Sequence, residues 1–333
     1  MGGGAASYTV PIPLGEIQNE VSVGGLTRYD QLGVGRLPSE GQVPLSPRLD
    51  PPTYSNDDQV YLFAGAAYGQ AATHWTSRIR TVLGVRIDYQ HGTDVDYLAA
   101  LHEAAGYTNG GTAEQFLFQP KGTLIYAASD ALDFYLAAGR GLHSADLRGV
   151  NQDTSVDLGL PHTPLVALQE GQEVGMRAEI DRNLVLTAAI YNLWQQSETI
   201  INPDVGQDVA GPPSRRYGYE LNITYQINHW LELYGSYSGN HTRFTRPFDD
   251  GTGHSGTYIT DAPVATGSLA LYLANLGPWS GGLAYRYLGN YPLSSGPCVN
   301  SAAVRDFPAV ATSCANAPTA LGQVNGQAFM PER

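Results

Sequence analysis

Arg216-Tyr217-Gly218-Tyr219-Glu220-Leu221-Asn222-Ile223-Thr224-Tyr225-Gln226 is the stretch that decides how the rest of the chain is read. Tyr217, Tyr219, Leu221, Ile223 and Tyr225 fall on one side of an extended backbone, and Arg216, Glu220, Asn222, Thr224 and Gln226 on the other. Successive side chains of a strand point to opposite faces, so this segment has one apolar wall and one polar wall. A soluble sandwich uses the same alternation. What separates the two readings is how such segments are joined.

The same period marks eleven segments, approximately 17–30, 59–72, 77–90, 115–127, 132–142, 170–180, 184–197, 215–227, 231–244, 263–274 and 279–288. The connections Thr73–Thr76, Ala128–Ala131, Asp181–Asn183, Asn228–Trp230 and Asn275–Pro278 are tight and rich in turn formers. Those around 31–58, 91–114, 143–169, 198–214, 245–262 and from 289 onward are long, polar and rich in Gly, Pro, Asp and Asn. Short and long alternate without a break. Long structureless loops are uncommon in a compact soluble domain. Short turns on one side and long loops on the other are the expected form of a transmembrane β-barrel.

Charges collect on one wall. Ile79, Thr81, Leu83, Val85, Ile87 and Tyr89 oppose Arg78, Arg80, Arg86 and Asp88. Leu231, Leu233, Gly235 and Tyr237 oppose Glu232, Tyr234, Ser236, Ser238 and Asn240; Leu283, Tyr285 and Tyr287 oppose Ala284 and Arg286. The charged wall is read as the lumen, because an Arg on the lipid face at mid-bilayer costs about 2–4 kcal/mol. Segments 59–72 and 263–274 are rich in Ala and Gly and leave their inward face open. Trp75, Trp230 and Trp279 all sit at short turns, where an indole ring rests at headgroup level; capping of a soluble core is the other reading.

Composition agrees. The 333 residues are 15% charged, with 39 Gly and 21 Tyr, and no apolar run approaches the roughly 18 residues of a spanning helix. A formal charge of −13 argues against nucleic acid, whose binding rests on phosphate neutralisation. Met1-Gly2-Gly3-Gly4-Ala5 has neither a basic n-region nor an apolar core and is not read as a signal peptide. Cys298 and Cys314, close together in a Pro/Ser/Ala-rich stretch, suit a loop disulfide in an oxidising compartment, two free thiols being the alternative. Residues 1–290 are therefore expected to hold the strands, and 291–333 a loop-like segment with that disulfide.

Phe118-Gln119-Pro120-Lys121-Gly122-Thr123-Leu124-Ile125-Tyr126, followed by Ser129 through Gly149 with its Gly139-Arg140-Gly141-Leu142-His143-Ser144-Ala145-Asp146-Leu147-Arg148 run, resembles the barrel of TonB-dependent outer-membrane receptors. Pro213–Leu221 with Trp230–Leu233, and Leu276–Gly281 with Arg286–Gly289, are similar to later strands of that family. The resemblance covers about residues 16–290. It implies a bacterial outer-membrane location and a 22-stranded barrel around a plug. Such a barrel imports scarce nutrients such as ferric siderophores, driven by a TonB-type partner that pulls on the plug. The chain departs from the pattern: it has no signal peptide, plug or final aromatic-terminated strand, and about half the strands. It is therefore expected to be an antiparallel barrel fragment that contacts a TonB-type protein only through the missing plug. A stand-alone smaller barrel acting as porin or adhesin is the alternative.

Arg140, His143, Asp146 and Arg148 are the candidate binding residues for a small-molecule ligand such as a metal chelate. Pairing among charges to fix a loop is the competing role. No catalytic constellation appears, and no enzyme or cofactor is expected: the eight His have no metal-ligand spacing, and His143 and Ser144 point to opposite faces of a strand. His91–Asp96 and Asp249–Gly251 are acidic enough for Ca²⁺, solvation being the plainer reading. Eleven strands leave two parallel edges that cannot join, with Ala5–Val10 at most an incomplete twelfth.

Overall fold

The computed structural model describes residues 1–36, 39–40, 43–44, 56–104, 110–145, 147–151, 163–181, 183–202, 207–249, 255–292, 323–324 and 327–328. One antiparallel sheet of 13 strands dominates. In chain order these are β1 (Gly2–Pro11), β2 (Gln18–Arg36), β3 (Asn56–His74), β4 (Ile79–Asp96), β5 (Gly111–Ser129), β6 (Leu132–Ser144), β7 (Val166–Ile180), β8 (Leu184–Gln195), β9 (Ser214–Asn228), β10 (Leu231–Asp249), β11 (Ser255–Tyr258), β12 (Ala265–Leu276) and β13 (Trp279–Leu288). Each strand pairs with its chain neighbours, except that β10 takes both the short β11 and β12. β1 and β13 are the edges. They do not pair with each other, so the sheet is open.

The tight ends are built by local chemistry. Thr76 Oγ1 accepts from the amides of Arg78 and Ile79 at 3.1 and 3.0 Å, and Asn228 Oδ1 from those of Trp230 and Leu231, both at 3.0 Å. Asp181 (φ 53°), Asn275 (φ 57°) and Gly277 (φ 66°) supply the left-handed residues of their turns. The opposite end is less bare than expected. Helix α1 (Ala99–Ala104) follows β4, helix α2 (Leu147–Asn151) follows β6, and Thr199–Asn202 pairs with Gln207–Ala210 in a hairpin.

Register confirms the two walls. Ile190 is 63% exposed and lies between Val174 and Tyr219 of the adjoining strands, all on the apolar wall. The Ala/Gly-rich segments are resolved by their neighbours. Phe63 of β3 pairs with Tyr29 and stands 6.4 Å from the Tyr89 ring, whereas Tyr68 and Arg86 are opposed on the polar wall. Trp75 and Trp279 are exposed at the tight end, and the Trp75 indole donates to Thr81 Oγ1 at 2.8 Å.

Among the described residues the polar wall carries one small apolar core. Leu147 and Val150 of α2 pack with Val60, Leu62, Ala113, Leu117, Leu142, Leu165 and Val166. The helix reaches the sheet because position 92 is glycine: a Cβ there would lie 2.6 Å from Leu147 Cδ2.

Two expectations need correction. Gly2–Pro11 is a full strand, paired from Gly2↔Tyr29 to Pro11↔Glu20. Its Gly-Gly-Gly-Ala-Ala start carries no apolar alternation, but backbone pairing needs none. The uninterrupted path therefore holds twelve strands, and its edges run antiparallel, not parallel. Several strands also run beyond their apolar pattern, β5 to 19 residues, because pairing continues where the alternation fades.

Candidate functional site

The polar wall of β3–β5 carries two cations, Arg86 and Lys121, and Arg140 of β6, which the register sets on the opposite wall next to Gly139, borders the same hollow. In one row across the sheet Tyr68 opposes Arg86, which opposes Gln119. In the next row Gln70, Gly84, Lys121 and Gly139 stand side by side. β5 and β6 stop pairing at Lys121–Gly139, while β6 continues against β7 through Arg140–Glu170. The parting of these strands leaves a cavity of about 360 Å³ lined by Tyr68, Gly69, Gln70, Val85, Arg86, Gln119, Lys121 and Arg140.

Each cation is held differently. Arg86 grips Asp88 with two parallel bonds, Nε to Oδ2 and Nη2 to Oδ1, both 2.6 Å, and Gln119 Nε2 donates to the same carboxylate. Asp88 is 6% exposed, so these bonds replace the water it has lost. Arg140 donates from Nε and Nη2 to Glu170 Oε1, each at 2.8 Å. Among the described residues Lys121 makes no ion pair.

The wall continues as hydrogen-bonded rows. Tyr135 donates to Glu173 at 2.5 Å, and Arg216 Nη2 meets Glu198 at 2.6 Å, with Ser214 donating to the same Glu198 oxygen. Near the β13 edge, Ser236 bonds Ser268 at 2.7 Å and Ser238 bonds Thr266 at 2.8 Å, beside Arg286 in a second hollow.

Of the four candidate binding residues, Arg140 lines the cavity and is also in the ion pair anticipated as its structural role. His143 is exposed near the end of β6, opposite Ala167, and Arg148 is half-buried on α2. Asp146 lies outside the described residues, as do Cys298, Cys314 and Asp250–Gly251. In the other acidic stretch, Asp96 accepts from the Leu98 amide at 2.8 Å and meets His102 Nδ1 at 2.5 Å, which anchors α1. Among the described residues no group of three or more His, Cys, Asp or Glu converges as metal ligands. The sequence missed Lys121, Gln119, Tyr68 and Gln70 as site residues. Their signal was a shared wall, but only the inter-strand register joins them.

The profile described as "TonB dependent receptor-like, beta-barrel" matches residues 6–312. The chain belongs to the TonB-dependent receptor β-barrel family. This is a family of receptors and transporters, not of enzymes. No curated protein sequence matches the chain. Similar solved folds include the ferric-catecholate import receptor Fiu of K12 E. coli in its closed form, at TM-score 0.67 and 17% identity over 90% of this chain and 45% of that one. The ferric citrate transporter FecA, unliganded, follows at 0.66 and 16%, over 90% and 43%. The alcaligin outer-membrane receptor FauA of Bordetella pertussis stands at 0.59 and 16%, over 86% and 45%. The chain thus spans less than half the length of these structures.

Proposed function

We propose that this chain forms part of the wall of a TonB-dependent outer-membrane receptor that imports a scarce nutrient such as a ferric siderophore, and that it is not active alone. The observation that carries the reading is the family match over residues 6–312 on an open sheet with one apolar and one charged wall. The apolar wall meets outer-membrane lipid and the charged wall faces the ligand path. An unpaired edge strand leaves backbone N–H and C=O groups in hydrocarbon at several kcal/mol each. β1 and β13, with nearly every residue exposed, are such edges. A TonB-type protein acts only through a plug that other residues supply.

Expression of these 333 residues alone tests it. The expected result is insoluble material, no heat-modifiable band on a gel and no energy-dependent uptake of a ferric chelate. Uptake by cells carrying only this chain would overturn the reading.

A second reading, a stand-alone smaller barrel acting as porin or adhesin, draws on the edges themselves. β1 and β13 are both 10 residues long and antiparallel in direction, so their parity permits closure. Passive sugar leakage through liposomes carrying the chain would favour it over the import receptor.

A further inference from the structure

We propose that the cavity between β3, β4, β5 and β6 is an anion site for a small di- or tricarboxylate, free or as its metal chelate, with Lys121 as its binding ammonium. The inference rests on the charged wall being the ligand path, and adds to it a position and a ligand chemistry.

Charge balance comes first. The chain is strongly acidic at −13, yet Arg86, Lys121 and Arg140 share one cavity. Asp88 and Glu170 offset the two guanidiniums, and Lys121 makes no ion pair among the described residues, so one positive charge is left uncompensated. Lys121 is exposed, and its ammonium has three donors and no acceptor, so an anion at contact would be its first partner.

Shape comes second. Lys121 lies in a row with Gly84 on one side and Gly139 on the other. A Cβ on Gly139 would stand 3.0 Å from Lys121 Cβ, and one on Gly84 would stand 3.3 Å from its Cε and 3.5 Å from Gln70 Cβ. The lysine stem therefore lies across β4 on a floor without side chains, its charged end carried toward Gln70. Arg86, two residues along β4 on the same wall, commits Nε and Nη2 to Asp88 and keeps its remaining edge. Arg140 commits the same two nitrogens to a single oxygen of Glu170. The cavity thus offers one full ammonium, the spare guanidinium edge of Arg86 and the polar tips of Tyr68, Gln70 and Gln119 around 360 Å³, with Arg140 at its margin. That volume is at the small end of ligand pockets, which run roughly from 300 to 1,000 Å³. Several donors spread around so small a space fit the separated oxygens of a compact polycarboxylate, and planar guanidinium edges match carboxylates in particular.

Equilibrium dialysis tests the site on the full chain folded in detergent micelles, its strand content verified by circular dichroism, with citrate as a simple tricarboxylate probe. Saturable binding that weakens with salt is expected. Lys121→Gln should weaken it about tenfold or more, in line with loss of a charge-assisted bond, while Lys121→Arg should stay within a few-fold. Arg286→Gln, which removes a cation of the same wall in the other hollow, should leave it unchanged. Absence of saturable binding, equal affinity of Lys121→Gln and wild type, or equal loss in Arg286→Gln would overturn the proposal. Inorganic phosphate displacing citrate with equal affinity would overturn the polycarboxylate assignment. Dialysis reads the site, whereas localisation and uptake read the receptor, so the two fail independently.

Discussion

The polar wall of β3–β7 and the polar wall of β10–β13 obey the same alternation and are built for different ends. On the first, strands run to 19 residues, a helix packs down on Gly92, and Arg86 and Lys121 face a cavity that Arg140 borders. On the second, β10 also runs to 19 residues but β12 and β13 shorten to 12 and 10, and the wall is a ladder of hydroxyls, Ser236 with Ser268 and Ser238 with Thr266, beside Arg286. The period of two decides which side of a strand meets water. It does not decide what the water-facing side does. That depends on which residue types stand in one row across several strands, and on whether anything folds over them.

The largest effect should come from exchanging the walls. Ile190→Arg, at a position 63% exposed on the apolar wall of β8, should cost about 2–4 kcal/mol in a bilayer. Ser268→Arg on the polar wall of β12 gives up only the exposed bond to Ser236 and should cost no more than about 1.5 kcal/mol. Denaturant titration of both variants in lipid vesicles measures the difference, and equal costs would mean the walls are wrongly assigned. Next in size, Leu147→Ala should cost about 2–5 kcal/mol locally, because a side chain 3% exposed leaves a cavity behind. Hydrogen exchange should show faster opening around α2 and the adjoining ends of β3 and β5, with β10–β13 unmoved. A uniform change over both walls would make them one cooperative unit. The smallest effect belongs to the hydroxyl ladder. Ser268→Ala removes one exposed bond and should cost about 0.5–1.5 kcal/mol or less in the same titration.

The walls were legible because they need only local information. Tyr217 through Tyr225 announce their face without reference to any other strand, and the turns at Asn228 and Asp181 mark their own ends. β1 was illegible for the opposite reason. Gly2-Gly3-Gly4-Ala5-Ala6 has no side chains large enough to declare a face, and its pairing with β2 is set by what lies beside it. The cavity shows the same limit. Arg140 was visible in a recurring segment, and Arg86 on a charged wall. Their meeting with Lys121 depends on register across β4, β5 and β6, and on β5 and β6 parting after Gly139. Single-strand patterns carry neither piece of information.

The unbroken neighbour-to-neighbour order of the sheet also bears on how it is assembled. Every long strand pairs with the strand before or after it across a tight turn or a single excursion, so hairpins form from contacts close in sequence and add one at a time. Growth of this kind resembles a zipper. At each stage the unsatisfied backbone is confined to two edges, the first strand and the latest one laid down, and the strands between them are already paired. A kinetic arrest during biogenesis should therefore trap a ladder of discrete intermediates that differ by whole hairpins, and any assembly factor has one advancing seam to shield.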